Sequence, residues 1–408
     1  MNKYICNYCQ SNLPFGLELG KRPIVNDLQI DHSINLPTYS IKITICSNCG
    51  LHQLIHDIPK EKFYTNYMTP SNHKSEPHIP LLISEIMSLI DFQDSIVEIG
   101  CNDGKFLSIL KQNGFRSLLG IEPTLNTSKS AADIGIEIIN SYFNSEITKD
   151  IIKNFGKFNL VISRQVLEHI KDIKNFLIDA KSLIIEEGFM IIEVPDCEIN
   201  FKQFDYGVWE EHVNCFTPIT LKHILNEMGW EIIKSYRTIF SGWTQTLVLK
   251  PILTSGNAHN ISKIKTKFNS LENEENDTLI RTVQEFKNWS FQYDSFKLSV
   301  HEKVNHLSKR RKIGLFGVGA RSISTLYSLD LISSISYAFD ESSLKIGKYI
   351  PGTKIIIESA DNLNKYDIDL ILLGVNFENE NKVLNNFNFE KARVYSILPP
   401  SDILLWDI

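Results

Sequence analysis

Four cysteines in two pairs are the residues whose spacing points most directly to chemistry. They form the motifs Cys6-Asn-Tyr-Cys9 and Cys46-Ser-Asn-Cys49. Each CxxC turn can direct two thiolates at one point, so two such turns supply the four sulfur ligands of a tetrahedral zinc site. Because four protein ligands leave no open position on the metal, we predict a structural zinc ion. The alternatives are reduced thiols without a metal and, less favoured, redox chemistry, since neither motif opens a helix after a strand.

A glycine-containing loop is the second chemical feature, in the segment Val97-Glu-Ile-Gly-Cys-Asn-Asp-Gly104. Its two glycines permit a tight turn and the close approach of a ligand. The spacing is not the G-x-G-x-x-G of dinucleotide-binding folds, because Asn102 takes the second glycine position. The loop instead resembles the E/D-x-G-x-x-x-G loop of class I S-adenosylmethionine methyltransferases. This resemblance implies that the cofactor is contacted by Glu98, Gly100, Asn102, Asp103 and Gly104.

Two further segments are placed to complete such a site. Glu122 ends the next predicted strand in Gly120-Ile-Glu-Pro123, where a carboxylate can accept hydrogen bonds from both hydroxyls of a ribose. After the fourth strand, the segment Arg164-Gln-Val-Leu-Glu-His-Ile170 is similar to a v-L-E-H-i segment of the same methyltransferases. The similarity implies that Gln165, or the backbone beside it, contacts the methionine end of the cofactor. We interpret His169 as a histidine that orders the loop rather than as a catalytic group.

Regularly alternating strand and helix patterns position these loops between Ile96 and Val194. Such alternation predicts a parallel sheet with right-handed crossovers. Within it, a helix is predicted over 173–185 and the fifth strand over 189–194. Two adjacent strand-like runs, Glu231–Ile239 and Thr246–Lys250, predict a terminal antiparallel pair.

A second α/β unit follows a polar stretch, residues 257–312, in which apolar residues at helical spacing predict one or two connecting helices. The unit begins with a strand, the glycine turn Gly317-Val-Gly319 and a helix start, and its next strand ends at Asp340. We therefore predict an α/β protein with a class I methyltransferase Rossmann-like sheet, an N-terminal zinc-binding module and a C-terminal Rossmann-like domain. The predicted boundaries are 1–75 for the zinc-binding module, 76–255 for the S-adenosylmethionine-dependent methyltransferase domain, 256–310 for the helical connector and 311–408 for the C-terminal domain.

Length and composition limit the kind of protein further. A chain of 408 residues with 43% hydrophobic residues suggests two or three domains with substantial cores. The net charge of -6 argues against a general nucleic-acid binder, and no stretch is long and apolar enough to span a bilayer. The N-terminal residues lack the apolar run of a signal peptide, and the paired cysteines suit a reducing compartment better than a disulfide framework. We expect a cytoplasmic monomer or homodimer with no nucleic-acid or membrane partner.

The order of these motifs resembles that of the three-part sugar C-methyltransferases, which act on nucleotide-linked 4-keto deoxysugars. The resemblance spans nearly the whole chain and includes the C-terminal segments Gly317–Ala320 and Lys345–Ile355. It implies S-adenosylmethionine as the methyl donor, a structural Zn²⁺ and a small-molecule substrate, namely a nucleotide-linked sugar.

That family carries its catalytic tyrosine, glutamate and histidine in a Y-x-E-H segment after the fifth strand. The corresponding segment here is Trp209-Glu-Glu-His212, with tryptophan in place of tyrosine. The family's aromatic loop Y-x-Y-x-S-S corresponds to Tyr67-Met-Thr-Pro-Ser71, in which the first tyrosine is kept. The resemblance implies that His212 removes a proton beside the ketone, Glu211 orients the imidazole or binds a sugar hydroxyl, and Tyr67 donates a hydrogen bond to the oxyanion. Histidine suits the role of base because its unperturbed pKa lies near neutrality.

Other family positions differ in this chain, and they lie where the substrate is expected. The family's H-G-G-S turn is Ser241-Gly-Trp-Thr244 here, and its lysine-glycine pair is Arg321-Ser322. These differences leave the identity of the substrate open. Trp209 in place of the family's tyrosine also keeps open an O- or N-methyltransferase acting on a glycan or natural-product precursor. A third alternative is a non-catalytic binding protein, which the intact glycine loop and Glu122 disfavour. For the C-terminal glycines we favour a nucleotide-sugar platform, with Arg321 on a phosphate, or a purely structural domain over a dinucleotide site.

Overall fold

The computed structural model describes residues 4–14, 16–59, 62–63, 76–205, 207–252, 258–308, 312–389 and 392–407, and the side chains of the long helix from Ile280 onward. The predicted Tyr67 therefore lies outside the described residues. Within these described residues, the strands form three sheets, one of four, one of seven and one of five strands. Among the described residues, no helix is both long and apolar enough to cross a membrane.

The N-terminal sheet carries the cysteine turns. Its first strands are β1 (Leu17–Arg22), β2 (Tyr39–Ile45) and β3 (His52–Ile55), and β2 pairs antiparallel with both β1 and β3. The second cysteine motif forms the connection between β2 and β3, while the first forms a turn of its own ahead of β1. Both motifs are therefore held at one end of a small antiparallel sheet.

The central part of the chain alternates strands and helices. Its strands are β4 (Ser95–Ile99), β5 (Ser117–Ile121), β6 (Glu137–Ile139), β7 (Phe158–Arg164), β8 (Ile184–Pro195), β9 (Asn214–Cys215), β10 (Trp230–Ile239) and β11 (Trp243–Pro251). Its helices are α1 (Ile79–Leu89), α2 (Lys105–Gln112), α3 (Leu125–Asp133), α4 (Ser145–Phe155), α5 (Ile173–Ser182), α6 (Cys197–Lys202) and α7 (Pro218–Glu227). The central sheet has the order β10-β11-β8-β7-β4-β5-β6, in which β4 to β8 are parallel and β11 is antiparallel to both neighbours. The predicted parallel sheet and terminal antiparallel pair are confirmed.

One predicted boundary in this sheet is wrong. The helix predicted over 173–185 ends at Ser182, and the following strand starts at Ile184 rather than at Phe189. Ile184 pairs with Phe158 at the beginning of β7, and Phe158 N donates a hydrogen bond to Leu183 O at 2.7 Å. Pairing with a neighbouring strand therefore overrides the helical spacing of the local sequence.

The two-residue strand β9 belongs to the N-terminal sheet, although it lies between strands of the central sheet along the chain. It pairs antiparallel with β3, so that His52 lies opposite Cys215 and Gln53 lies opposite Asn214. The segment that follows β8 thus becomes the fourth strand of the N-terminal sheet. This pairing places the predicted catalytic segment against the zinc-binding module.

A single helix of 51 residues, α8 (Ala258–Ser308), leads to the C-terminal part of the chain. The remaining strands are β12 (Ile313–Phe316), β13 (Tyr337–Asp340), β14 (Ile357–Ser359), β15 (Leu370–Leu373) and β16 (Arg393–Ser396), and the remaining helices are α9 (Ala320–Ser328) and α10 (Phe377–Asn386). These five strands are all parallel, in the order β14-β13-β12-β15-β16. The C-terminal part is therefore a Rossmann-like sheet, as predicted.

The N-terminal sheet and the C-terminal part share one apolar core. It contains Ile41 and Ile43 of β2, Trp289 and Tyr293 of α8, and Leu372 of β15, all of them buried. Removal of this apolar surface from water favours the contact between the two parts. The N-terminal sheet is consequently packed on the C-terminal part as well as paired with the segment that follows β8.

Candidate functional site

The loop between β4 and α2 requires glycine at two positions. Gly100 has φ +75° and Gly104 has φ +73°, a left-handed conformation that residues with side chains rarely adopt. A Cβ atom on Gly100 would lie 2.4 Å from Val166 Cγ2, and one on Gly104 would lie 2.8 Å from Ala131 Cβ. The two glycines therefore allow the loop to pack closely on its neighbours at the carboxyl end of β4.

Glu122 faces this loop from the residue after β5. Its Oε2 accepts a hydrogen bond from Asn102 N at 3.0 Å, and its Oε1 accepts one from Thr124 N at 2.8 Å. A carboxylate offers about four acceptor positions, so both oxygens remain able to accept a ribose hydroxyl. Glu122 thus braces the glycine loop and also presents acceptor oxygens to a ligand.

A single cavity of about 770 Å³ joins the predicted cofactor residues to the predicted catalytic segment. Of the predicted residues, its lining includes Glu98, Gly100, Asn102, Glu122, Gln165 and Glu211. Asp103, Gly104 and His212 are not part of this lining. The first two form the turn into α2, and the ring of His212 packs on that of His169, which does line the cavity. A volume of this size is in the ordinary range for small-molecule sites.

A buried charge cluster lies beside the cavity, where β4 and β7 end. Arg164 pairs with Glu76 at 2.7 Å and with Glu193 at 3.4 Å. It also lies 3.9 Å from Glu98 and 4.3 Å from the centroid of the Phe106 ring. The sequence analysis did not assign a role to Arg164, although an arginine at the end of a buried apolar strand is the signal that could have identified it.

Glu98 is an unusual acid within this cluster. Burial raises its pKa to about 8, although the positive charge of Arg164 opposes the shift. A cationic group placed beside Glu98 would favour its ionised form. This end of the cavity therefore suits a ligand that carries an ammonium group.

Glu211 is the predicted catalytic residue that lines the cavity directly. Its side chain is only 6% exposed, and its Oε2 has no hydrogen-bond partner among the residues that the structure describes. Burial and then the charge of Glu210 raise the pKa of Glu211 to about 8. A carboxyl group with this pKa is largely protonated at neutral pH and can donate a hydrogen bond to a ligand oxygen.

His212 belongs to a cluster that the sequence analysis did not assemble. Side-chain atoms of Glu168, His169 and His212 lie within 4.8 Å of one another. The rings of the two histidines are perpendicular, with centroids 4.8 Å apart, and His169 Nδ1 lies 3.0 Å from Glu211 O. Trp209 packs on the same group, with its ring centroid 5.1 Å from that of His212. The signal that could have revealed the cluster is a repeated Glu-His dipeptide, once after β7 and once before β9.

The four paired cysteines converge on one point. The sulfurs of Cys6 and Cys49 are 3.5 Å apart, those of Cys9 and Cys46 are 3.4 Å apart, and all four lie within 4.8 Å of one another as free thiols. Zinc–sulfur bonds of about 2.3 Å in a tetrahedron would separate the sulfurs by about 3.8 Å, so these residues fit the ligand set of zinc. Hydrogen bonds among the clustered sulfurs lower the pKa of Cys46 and raise the pKa of Cys6 and of Cys49, because a thiolate at one position accepts hydrogen bonds from thiols at the others.

The two cysteine turns share one backbone conformation. Gln10 N donates a hydrogen bond to Cys6 O at 3.2 Å, and Gly50 N donates one to Cys46 O at 2.9 Å. Gln10 and Gly50, which end the turns, both have positive φ, +61° and +73°. Because the turns are alike, their sulfurs approach the common centre in equivalent ways.

The C-terminal glycine turn is engaged by groups of the protein itself. Asp340 Oδ2 accepts hydrogen bonds from Val318 N at 2.8 Å and from Lys345 Nζ at 2.9 Å. Arg321 pairs with Asp205 at 2.5 Å. Asp340 and Arg321, the residues placed to meet a ribose and a phosphate, therefore already have partners within the protein.

Comparison with known proteins gives two family matches and a curated relative. Residues 67–235 match a family model described as a methyltransferase domain, and residues 252–389 match one described as a C-methyltransferase C-terminal domain. The chain is 24% identical over 386 residues to the C-methyltransferase NovU of Streptomyces niveus, a match that covers 91% of this chain and 90% of the relative. All three descriptions name methyl transfer, and two of them specify transfer to carbon.

Solved structures resemble a part of the chain. A methyltransferase from Anabaena variabilis is 17% identical, with a TM-score of 0.39, and the match covers 47% of this chain and 91% of that one. Magnesium protoporphyrin IX methyltransferase from Synechocystis PCC 6803 is 12% identical, with a TM-score of 0.33, and the match covers 42% of this chain and 76% of that one. Both similarities are therefore limited to less than half of the present chain.

Proposed function

We propose that this chain, which belongs to the S-adenosylmethionine-dependent C-methyltransferases, methylates a carbon of a nucleotide-linked keto-deoxysugar through an enolate formed by a histidine base. The observation that carries the proposal is the buried carboxyl group of Glu211. It lines the same cavity as Gly100 and Glu122, and its Oε2 has no partner among the described residues. A cofactor loop and an unsatisfied acid that share one cavity support methyl transfer at that point.

The cofactor is held between the glycine loop and Glu122 in this proposal. Glu122 accepts the ribose hydroxyls, and Glu98 receives the ammonium group of the methionine end, beside Gln165. Gly100 and Asn102 form the wall that the cofactor approaches, while Asp103 and Gly104 maintain the turn behind it. When bound, S-adenosylmethionine supplies a methyl group that is already activated on a sulfonium ion. The protein must therefore add orientation and proton removal.

We assign removal of the proton beside the ketone to His212, whose ring packs on His169 at the wall of the cavity. His169 packs at right angles to His212 and is itself fixed by the carbonyl of Glu211, so the two rings orient each other. A neutral Glu211 then donates a hydrogen bond to the carbonyl oxygen on which negative charge develops. The base and the hydrogen-bond donor are thus adjacent residues in the chain.

We assign Tyr67 a second hydrogen bond to this oxygen. Tyr67 lies outside the described residues, and the support for its role comes from the residues on either side of its segment. Phe63 and Glu76 both line the cavity. The chain therefore meets the cavity both before and after the segment that contains Tyr67.

We further propose that Cys6, Cys9, Cys46 and Cys49 hold a structural Zn²⁺. Four thiolates leave the metal no open position, so it takes no part in the chemistry. Its role is to stabilise the N-terminal sheet, which pairs through β3 with the strand that follows Glu211 and His212. The enzyme acts on a small molecule in the cytoplasm, where the thiols stay reduced, as a monomer or homodimer.

Calorimetric titration with S-adenosylmethionine and with NAD⁺ tests the cofactor assignment. The wild type is expected to bind the former only, and Glu122→Ala is expected to weaken that binding by about tenfold or more because the ribose acceptor is lost. Glu137→Ala, which changes an exposed glutamate at the start of β6, serves as the control and should bind as the wild type does. Binding of NAD⁺ alone would contradict the proposal.

Reaction with ¹³C-methyl-labelled S-adenosylmethionine and nucleotide-linked 4-keto-deoxysugars tests the atom that is methylated. We expect an NMR signal of a methyl group bonded to a ring carbon. His212→Ala should abolish this signal while binding S-adenosylmethionine with unchanged affinity. A methyl signal on oxygen or nitrogen, or transfer to sugars that lack the keto group, would contradict the enolate route.

A further inference from the structure

We propose that Asn214 is a positioning residue that connects the first cysteine turn to the turn carrying Glu168 and His169, and thereby sets the geometry of the catalytic segment. The inference rests on the proposed function, because it concerns the placement of Glu211 and His212. It goes beyond that function in assigning roles to Asn7 and Asn214.

Asn7 forms the cysteine-turn side of this connection. It lies between Cys6 and Cys9, and its Nδ2 donates a hydrogen bond to Asn214 Oδ1 at 2.9 Å. Its backbone N–H donates a second hydrogen bond to Gln53 Oε1 at 2.7 Å. The conformation of the first cysteine turn therefore determines where the side chains of Gln53 and Asn214, which face each other across β3 and β9, can lie.

Asn214 forms the other side. Its Nδ2 donates to Leu167 O at 3.2 Å and to Ile170 O at 2.7 Å, the carbonyls that bracket Glu168 and His169. The side chain of Asn214 is 1% exposed, so these hydrogen bonds form away from water. With one oxygen accepting and both amide hydrogens donating, Asn214 has no freedom to move without leaving a buried polar group unsatisfied.

Strand β3 and the residue after it also hold the catalytic segment, residues 209–212. Leu54 N donates a hydrogen bond to Val213 O at 3.1 Å, and His56 Nε2 lies 2.9 Å from Glu210 O. Glu211 and His212 therefore lie between two attachments to β3 and the residue that follows it. The third contact of the segment, between Glu211 O and His169, leads to the turn that Asn214 holds.

This closed set of contacts explains why a small change at the cysteine turn should affect catalysis. In the structure, side-chain atoms of Glu168, His169 and His212 lie within 4.8 Å of one another. A shift in Asn214 would move the turn of Glu168 and His169 relative to His212. Misplacement of reacting groups by about 1 Å can reduce rates by about a hundredfold. A residue that served stability alone would change the folded fraction without changing the rate of the folded enzyme.

Three single variants and one double variant separate these roles. Asn7→Ala removes the donor to Asn214 but keeps all four cysteines. Asn214→Asp keeps an acceptor for Asn7 but removes the donor to both carbonyls. Asn48→Ala is the matched control, because Asn48 is an exposed asparagine in the second cysteine turn. The double variant Asn7→Ala/Asn214→Asp reports whether the two side chains act through one connection.

Kinetics of the zinc-loaded full-length chain provide the first measurement. We expect kcat to fall about tenfold in Asn7→Ala and about a hundredfold in Asn214→Asp, with unchanged zinc content and unchanged affinity for S-adenosylmethionine. The double variant should be no slower than Asn214→Asp, and Asn48→Ala should match the wild type.

NMR of histidine rings labelled with ¹³C provides a measurement that needs no substrate. We expect the signals of His169 and His212 to shift in Asn7→Ala and Asn214→Asp and to stay unchanged in Asn48→Ala. If Asn214→Asp does not fold, Asn7→Ala decides the question alone. Unshifted histidine signals together with an unchanged kcat in Asn7→Ala would overturn the inference. A wild type that fails to bind S-adenosylmethionine would instead contradict the proposed function and leave the NMR result interpretable.

Discussion

Glu211 is held in an environment that favours its neutral form, and this separates its role from that of a base. Burial, together with the charge of Glu210, raises its pKa to about 8. A neutral carboxyl group can stabilise an oxyanion by donating a hydrogen bond, which an amide can also do. His212 is then the member of the pair suited to accept the proton.

Substitutions of Glu211 test this division of roles. Glu211→Gln is expected to retain kcat within about tenfold of the wild type because the amide keeps a donor of similar size. Glu211→Ala is expected to lose about 10²- to 10³-fold, the usual cost of removing an oxyanion donor. Steady-state kinetics with a keto-sugar substrate measure both. Equal inactivation of the two variants would mean that a charged carboxylate is required.

The raised pKa of Glu211 also makes folding stability depend on pH. Because the folded-state pKa of about 8 lies above the ordinary value of 4.5, its contribution is fully present below pH 4.5 and is lost as the pH rises through 8. The free energy of unfolding should therefore fall over this range more steeply in the wild type than in Glu211→Gln. Urea denaturation at several pH values measures the slopes, and the exposed Glu231→Gln is the control, which should follow the wild type. Parallel slopes in all three proteins would show that Glu211 titrates normally.

At the scale of elements, the loop between β4 and α2 depends on the absence of a side chain at Gly100. Gly100→Ala would combine a positive φ of +75° with a Cβ contact of 2.4 Å to Val166. Gly156 offers a matched control, because it has φ +80° but no atom within 4 Å of its Cβ position. Both substitutions place a side chain at a positive φ, and only Gly100→Ala adds a collision.

We expect Gly100→Ala to weaken S-adenosylmethionine binding by about tenfold or more, since Val166 and the loop must both move. Gly156→Ala should lose about 1–3 kcal/mol of stability, because φ +80° with ψ −160° is a conformation that essentially only glycine adopts, and it should keep its affinity for the cofactor. Calorimetric titration and thermal unfolding give the two quantities. A similar loss of affinity in both variants would indicate general destabilisation rather than a local effect on the loop.

The sequence predicts those elements whose pattern of residues lies within one short stretch of the chain. The glycine loop and Glu122 lie within a few residues of buried strands, so their meeting at one sheet edge follows from the α/β pattern. The pairing of β3 with β9 joins residues far apart in the chain through a two-residue strand, which has no periodicity to detect. The cluster of Glu168, His169 and His212 depends on that pairing, so the repeated Glu-His dipeptide alone could not show that its two copies meet. The role of Tyr67 stays a prediction.

At the scale of the whole molecule, Arg22 connects all three parts of the fold. It is 1% exposed, and its guanidinium pairs with Glu210 at 3.5 Å. It also donates hydrogen bonds to Val208 O at 2.5 Å and to Ser328 Oγ at 3.1 Å. Glu210 in turn accepts a hydrogen bond from Val25 N at 2.6 Å. One buried ion pair thus joins β1, the segment leading to the catalytic pair and helix α9.

Removal of one member of this ion pair leaves the other without charge compensation. Arg22→Met is therefore expected to lower the free energy of unfolding by about 3–5 kcal/mol. The double variant Arg22→Met/Glu210→Gln should recover a part of this loss, because no unpaired charge remains in the interior. Arg116→Met, which changes an exposed arginine, is the control and should alter stability by less than about 1 kcal/mol. Chemical denaturation measures all four proteins.

Because Arg22 contacts three parts of the chain, its removal should destabilise all three of them together. Hydrogen exchange is expected to accelerate in β1, in residues 208–213 and in α9 of Arg22→Met, since each segment loses a hydrogen-bond or charge partner. The N-terminal sheet, the catalytic segment and the C-terminal part would then open as one cooperative unit. Acceleration confined to β1 would show instead that the N-terminal sheet opens independently, and that the zinc-binding module can leave the catalytic segment without disturbing the C-terminal part.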